Sequence, residues 1–236
     1  MNRVSYQTMR RRTRVKICGV RTAEDALAAA EAGADAVGIV LHPAARRHVT
    51  LASAEAIVAA LPPFVTPVAL FVDERLDCLY QAVCQLRIGT VQLHGGEHPD
   101  LVRQLAPLRI MKAIHADPAS VRRELAAWKS AASALPNLAG IVLDTACESG
   151  GSGVPNDWAL VESLRDEGLL EGLPPLVAAG GLRPENVADV VRRLRPWGVD
   201  VSSGVESEPL HKSRSLIEDF IAAVRAADEQ TCAQGA

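Results

Sequence analysis

Arg14-Val15-Lys16-Ile17-Cys18-Gly19 decides how the chain is read. A short apolar run ends in a cysteine and a glycine, and a helix-start signal follows at Thr22. Such a run is a strand that delivers a thiol to its C-terminal end, where a loop begins. Thr22 is the expected cap, with Asp25 as an acidic partner in the first turn. The alanine-rich helix it opens stops at Gly33.

The pattern then repeats. Further strands are expected at 36–41, 66–72, 90–93, 109–114, 140–144, 176–179 and 199–202, each with an amphipathic segment behind it. The third helix is expected over 76–86, and the fourth begins near Pro99. Asp117-Pro118 opens the fifth, with Pro at the first helical position. The sixth starts after Asp157, Arg183-Pro184-Glu185-Asn186 opens the seventh, and the eighth spans about 213–227. Strict strand–helix alternation means parallel strands with helical crossovers. A doubly wound sheet is the competitor. The count of strands and the lack of an early GxGxxG favour the α/β class as a single (βα)8 TIM barrel. The expected division is an extension over 1–13, a catalytic barrel over 14–227 and a loose tail over 228–236. Arg10, Arg11 and Arg12 give the extension a basic run, read as a frayed tail or as an arm for a phosphate or acidic partner.

Bulk properties narrow the class. The 236 residues are 48% hydrophobic and 22% charged, with net charge −3, which argues against a nucleic-acid partner. No apolar run is long enough for a transmembrane helix, and no signal-peptide core is expected, so no membrane role is read. Cys18, Cys78, Cys84, Cys147 and Cys232 have no paired metal-ligand spacing. A reducing, cytoplasmic compartment follows.

If the strands close into a barrel, their C-terminal ends share one mouth. Ala179-Gly180-Gly181 and Ser202-Ser203-Gly204 then follow strands seven and eight, where barrels often bind phosphate. Glycines let backbone N–H groups approach an anion, and a helix N-terminus adds positive potential. Gly150-Gly151-Ser152-Gly153 can approach the same phosphate or cover the mouth. Glycines that merely end strands are the alternative. Cys18 and Asp144 would face each other across the mouth, and a thiol with a carboxyl suits acid–base work on a small substrate. A buried hydrophobic cysteine and a capping or paired aspartate are the alternatives. Arg46, Arg47 and His48 could hold a carboxylate or form a solvated basic loop. His94 closes strand four, in a supporting or a catalytic role. His42, His98, His115 and His211 have no spacing that suggests a metal site. Side chains alternate along a strand, so Lys16 lies one layer beneath Cys18, and Asp200 lies likewise beneath Ser202. Neighbouring strands would bring that lysine and aspartate together as a buried ion pair, with Lys16 a source of positive potential near the thiol; the alternative is that register leaves one of them solvated and alone at the open bottom of the barrel.

Several of these segments together resemble the phosphoribosylanthranilate isomerases of tryptophan biosynthesis. They are Lys16-Ile17-Cys18-Gly19, Val91-Gln92-Leu93-His94-Gly95, Leu143-Asp144-Thr145, Gly150-Gly151-Ser152-Gly153, Ala179-Gly180-Gly181-Leu182 and Val199-Asp200-Val201-Ser202-Ser203-Gly204-Val205-Glu206. The similarity runs from about Arg14 to Val224. It implies an Amadori rearrangement of N-(5-phosphoribosyl)anthranilate, with Cys18 as general base and Asp144 as general acid. It puts the substrate carboxylate on Arg47. The phosphate falls on Gly180, Gly181, Ser203 and Gly204, with Gly151 and Ser152 close by. Apart from the resemblance, His94, by its place at the end of strand four, and Lys16 and Asp200, by strand parity, are read as supporting the site. No cofactor or metal is implied, and the partner is a small phosphorylated substrate bound by a monomer or homodimer. Another phosphosugar isomerase or epimerase on the same barrel, or a non-catalytic phospholigand-binding barrel, are the competing readings. One stretch departs from the family. Pro209-Leu210-His211-Lys212-Ser213 keeps the proline and lysine usual after strand eight but has neither the glycine nor the aspartate.

Overall fold

The computed structural model describes residues 12–145 and 158–233. Eight parallel strands close into a barrel in chain order: β1 (Arg14–Cys18), β2 (Ala36–Val40), β3 (Thr66–Phe71), β4 (Thr90–Leu93), β5 (Arg109–His115), β6 (Leu138–Asp144), β7 (Leu176–Ala179) and β8 (Gly198–Val201). The helices between and after them are α1 (Ala23–Ala32), α2 (Leu51–Ala60), α3 (Leu76–Leu86), α4 (Pro99–Gln104), α5 (Val121–Ala132), α6 (Trp158–Asp166), α7 (Pro184–Leu194) and α8 (Arg214–Ala233). The (βα)8 barrel expected from the alternation is therefore the fold. Among the described residues no helix is long and apolar enough to cross a membrane.

Alternation along each strand builds two layers. Val15, Ile17, Val37, Ile39, Ile141, Leu143, Val199 and Val201 point outward and form one core with the helices. The intervening residues face the barrel axis. There the apolar side chains fall into separate groups, Cys18 with Val40 and Leu70, and Ala113 with Val142, Val177 and Ala179. Between these groups run the polar side chains of the site. Register matters most at the seam: Lys16 of β1 is the direct partner of Asp200 on β8.

The local signals act as expected at α1. Thr22 Oγ1 accepts the N–H of Asp25 at 3.0 Å, and Gly33 ends the helix in the left-handed region at φ 99°. Two expectations need correction. Asp117-Pro118 forms a turn, closed by the N–H of Ser120 on Asp117 O, and α5 starts only at Val121, where the consecutive i→i−4 ladder begins with Glu124 N–H on Ser120 O. The chain after Ala227 is no loose tail in the described part, since α8 continues to Ala233. Asp228 in that last stretch accepts Thr13 N at 2.6 Å and Thr13 Oγ1 at 2.7 Å. Arg12 also pairs with Asp35, so residues 12 and 13 belong to the folded body. Beyond β8 the chain makes a 3-10 turn (Ser203–Val205) and a small hairpin, β9 (Glu206–Glu208) with β10 (His211–Lys212), which the sequence pattern did not announce.

Candidate active site

Cys18 ends β1 with 8% of its surface exposed. Its direct neighbour on β2 is Gly38. A Cβ at Gly38 would lie 2.7 Å from Cys18 Sγ and 3.0 Å from Lys16 Nζ, so glycine makes the space in which thiol and ammonium sit. Lys16 Nζ donates to Asp200 Oδ2 at 2.8 Å, and both side chains are buried. Strand parity thus places the ion pair where the sequence argument put it. Burial works against the Lys16 ammonium, but Asp200 and Cys18 outweigh it and lift the group to about 12. Burial pushes the thiol up, and Asp200 adds to this, while Lys16 and Lys212 pull the other way. The positive potential expected from Lys16 is present, but in the free protein burial outweighs it.

Asp144 ends β6 on a different arc of the mouth. His94 Nε2 approaches its Oδ2 at 3.5 Å, and His94 Nδ1 is 2.8 Å from Gln92 Nε2. His115, the β5 residue paired in register with Asp144, sets its ring edge-on to His94, with centroids 5.4 Å apart. One ligand-capable atom from each of His94, His115 and Asp144 lies within 4.8 Å of the others. Linear spacing gave His115 no such company, because the three residues come from three strands. The group could hold a divalent ion, but Asp144 would then be a ligand instead of a proton donor.

Arg47, in the loop after β2, is not free. Its Nε and Nη2 donate to both oxygens of Glu206, at 2.7 and 2.9 Å. Lys212 Nζ donates to Glu206 Oε1 at 3.0 Å and to Ser202 O at 2.9 Å. Burial opposes the Glu206 carboxylate, yet Arg47 and Lys212 hold its pKa at about 2. Glu206 uses the Nε–Nη2 edge of the guanidinium, and among the described residues no hydrogen bond uses Nη1. Against the same wall, Gly19 adopts φ +70° with its α-carbon next to the Arg47 side chain, where any Cβ would collide.

The two glycine loops meet. A Cβ on Gly204 would overlap the carbonyl of Leu182, so the loop after β8 rests directly on the loop after β7. Gly180 and Gly181 both have positive φ, and Asn186 Nδ2 donates to Gly181 O at 3.0 Å, fixing the turn into α7. Ser203 and Gly204 lie in the 3-10 turn. Gly151 and Ser152 lie outside the described residues.

Sequence reasoning gave no role to Gln92, His115, Glu206 or Lys212. Gln92 could have been found by parity, since it faces inward two residues before His94. The other three need the fold.

Against known proteins, residues 15–223 match the family model described as N-(5'phosphoribosyl)anthranilate (PRA) isomerase. An N-(5'-phosphoribosyl)anthranilate isomerase from Halorhodospira halophila is 44% identical over 220 residues, covering 92% of this chain and 99% of the relative. The crystal structure of phosphoribosyl anthranilate isomerase from Thermotoga maritima superposes with a TM-score of 0.79 at 37% identity, covering 91% of this chain and 99% of that one. A phosphoribosyl anthranilate isomerase in complex with reduced 1-(o-carboxyphenylamino)-1-deoxyribulose 5-phosphate gives 0.76 at 36% identity, with the same coverage.

Proposed function

The chain belongs to the N-(5'-phosphoribosyl)anthranilate isomerase family, and from that membership we propose how its own residues carry the reaction. The protein is an isomerase of tryptophan biosynthesis. It converts N-(5-phosphoribosyl)anthranilate into 1-(2-carboxyphenylamino)-1-deoxyribulose 5-phosphate, an Amadori rearrangement.

Asp144 is the general acid. It protonates the furanose ring oxygen, and the ring opens to an iminium. Cys18, as thiolate, removes the proton from the adjacent carbon to give an enolamine, which becomes the ketone. The observation that supports this reading is the placement of Cys18 and Asp144 at the C-terminal ends of β1 and β6, on one mouth of a closed barrel. Lys16 and Lys212 favour the thiolate once it forms. Arg47, oriented by Glu206, takes the anthranilate carboxylate. The phosphate sits on Gly180, Gly181, Ser203 and Gly204, with Gly151 and Ser152 nearby, and the start of α7 adds its dipole. His94 supports Asp144. A cytoplasmic location, no nucleic-acid or membrane partner, and a monomer or homodimer belong to the same reading. Light scattering checks the assembly. Turnover of freshly prepared phosphoribosylanthranilate, followed by loss of its fluorescence, tests the activity. An inert protein would reject it.

A further inference from the structure

Gln92 is a fully buried amide on the inner face of β4. Its Oε1 has no hydrogen-bond partner among the described residues. A buried amide left half unpaired is destabilising, and an apolar side chain of that size would suit the position better. The hydrogen bond it does make runs from Nε2 to His94 Nδ1, at 2.8 Å. An N–H directed at Nδ1 requires a lone pair there. The ring proton of neutral His94 is then on Nε2, the nitrogen that faces Asp144 Oδ2. We propose that Gln92 is a positioning residue that locks His94 as the neutral Nε2–H tautomer, making it an uncharged donor to the carboxylate that Asp144 becomes on giving up its proton.

The proposal rests on the reading of Asp144 as general acid. It resolves a conflict in that role. A cationic neighbour would stabilise the carboxylate but hold it deprotonated before the reaction, leaving no proton to give. A neutral N–H donor strengthens as negative charge develops on the acid and favours the ground-state carboxylate less. Among the described residues, the charged or titratable groups around His94 are Asp144 on β6, His115 on β5 and Asp200 on β8. The amide N–H aimed at Nδ1 keeps the proton off that nitrogen.

Nitrogen-15 NMR of histidine-labelled protein reads the tautomer directly, without ligand, with His94 assigned by its loss in His94→Asn. The wild type is expected to keep Nδ1 unprotonated and Nε2 protonated at neutral pH. In the near-isosteric Gln92→Glu a carboxylate replaces the N–H, so Nδ1 should become protonated and the His94 pKa should rise. kcat should fall roughly tenfold, part of the ~10²–10⁴-fold a positioned acid supplies, with KM little changed. A wild-type His94 protonated on Nδ1 overturns the proposal. So does an unchanged kcat in Gln92→Glu once its Nδ1 is protonated. Failure of the acid assignment is separate, and would show as full activity in Asp144→Asn whatever the tautomer.

Discussion

Two buried lysine–carboxylate pairs stand on opposite faces of the same sheet. Lys112 of β5 points outward, toward the helices, with its ammonium 6.0 Å from the ring of Trp128. It donates to Glu97 at 2.9 Å and to Gly95 O at 2.6 Å. Glu97 also accepts Asp73 N and Gly95 N, so the pair clamps the loop beyond His94 to the loop after β3, while His94 N itself bonds to Phe71 O in the sheet. Burial opposes the Glu97 carboxylate, but Lys112 and the backbone donors outweigh it and hold the pKa below its ordinary value. Lys16 and Asp200 point inward. They make one 2.8 Å contact, and Asp200 Oδ1 has no hydrogen-bond partner among the described residues. Burial pushes the Asp200 carboxyl up in spite of Lys16. The outer pair is saturated and serves the scaffold. The inner pair is under-bonded and lies against the Cys18 thiol. A saturated network rigidifies, whereas an under-bonded one leaves its charge to act on a neighbour.

The largest effect expected is at the groups the inner pair serves. Cys18→Ala and Asp144→Ala should each lower kcat by about 10²–10⁴-fold with a much smaller change in KM, because both act chiefly in the transition state. Cys18→Ser should also be poor, since a hydroxyl is a far weaker base than a thiolate. Steady-state kinetics decides, and loss of affinity at unchanged kcat would reverse the assignment.

Next come the pairs themselves. Lys112→Met, Lys16→Met and Asp200→Asn each break a buried pair from one side, and should cost on the order of 3–5 kcal/mol in denaturant unfolding. Replacing both members of the inner pair with apolar residues should cost less. The pairs separate by function and by pH. Lys16→Met should lower kcat in the protein that remains folded, and Lys112→Met should leave kcat close to wild type. The pKa of Glu97 is depressed, so its stabilisation is present above the ordinary value of 4.5 and is lost as pH falls through the depressed one. The raised Asp200 has the opposite sign, losing its contribution as pH rises through its folded value. Lys16, raised from 10.5 to about 12, contributes fully below 10.5 and loses that contribution by about 12. The stability gap between wild type and Lys16→Met should therefore narrow over that alkaline interval. A gap constant across it would mean that Lys16 carries no charge-dependent stabilisation.

Much of this was legible before any coordinates. Apolar runs ending in Cys18, His94, Asp144 and Gly180 marked strands and their C-terminal ends, and strand parity with barrel closure sufficed to put Lys16 on Asp200. The same parity places Lys112 among the outward residues Ile110 and Ile114, but its partner Glu97 sits in a loop whose path no periodicity reports. Asp117-Pro118 misled because a proline that suits the first turn of a helix also suits a turn just before one. His94, His115 and Asp144 come from separate strands, so only register brings them together. The Glu206 grip on Arg47 depends on a hairpin whose strands are too short to show an alternating pattern.

A smaller effect is expected at Arg47, where the oriented guanidinium resembles the outer pair more than the inner one. Its fork is saturated on one edge by Glu206. Arg47→Ala should raise KM by roughly 10–100-fold, matching the ~1.5–3 kcal/mol of a hydrogen bond to a charged group, with kcat less affected. An inhibitor that lacks the carboxylate should bind wild type and variant equally. If it loses affinity as the substrate does, Arg47 is not reading the carboxylate.

The smallest effect concerns the second ammonium near the thiol, Lys212, and the hairpin that presents it. Leu210, which carries a side chain, adopts φ 74°. A side chain in the left-handed region costs roughly 1–2 kcal/mol through Cβ and carbonyl crowding. The hairpin imposes it, because Leu210 N donates to Glu206 Oε2 at 3.2 Å and Lys212 reaches Glu206 Oε1 from the other strand. Leu210→Gly removes the crowding but adds freedom to the unfolded chain, which offsets about 0.5–1 kcal/mol of the gain. The net expectation is stabilisation of up to about 1 kcal/mol, a rise in Tm of roughly 2–4 °C for a chain of this size. Leu210→Ala keeps the strained backbone and loses the packing of a half-buried side chain, so it should destabilise. Opposite signs for the two variants identify the backbone as the cause. If alanine and glycine shift Tm in the same direction, Leu210 matters through its contacts, and the hairpin holds Lys212 without strain.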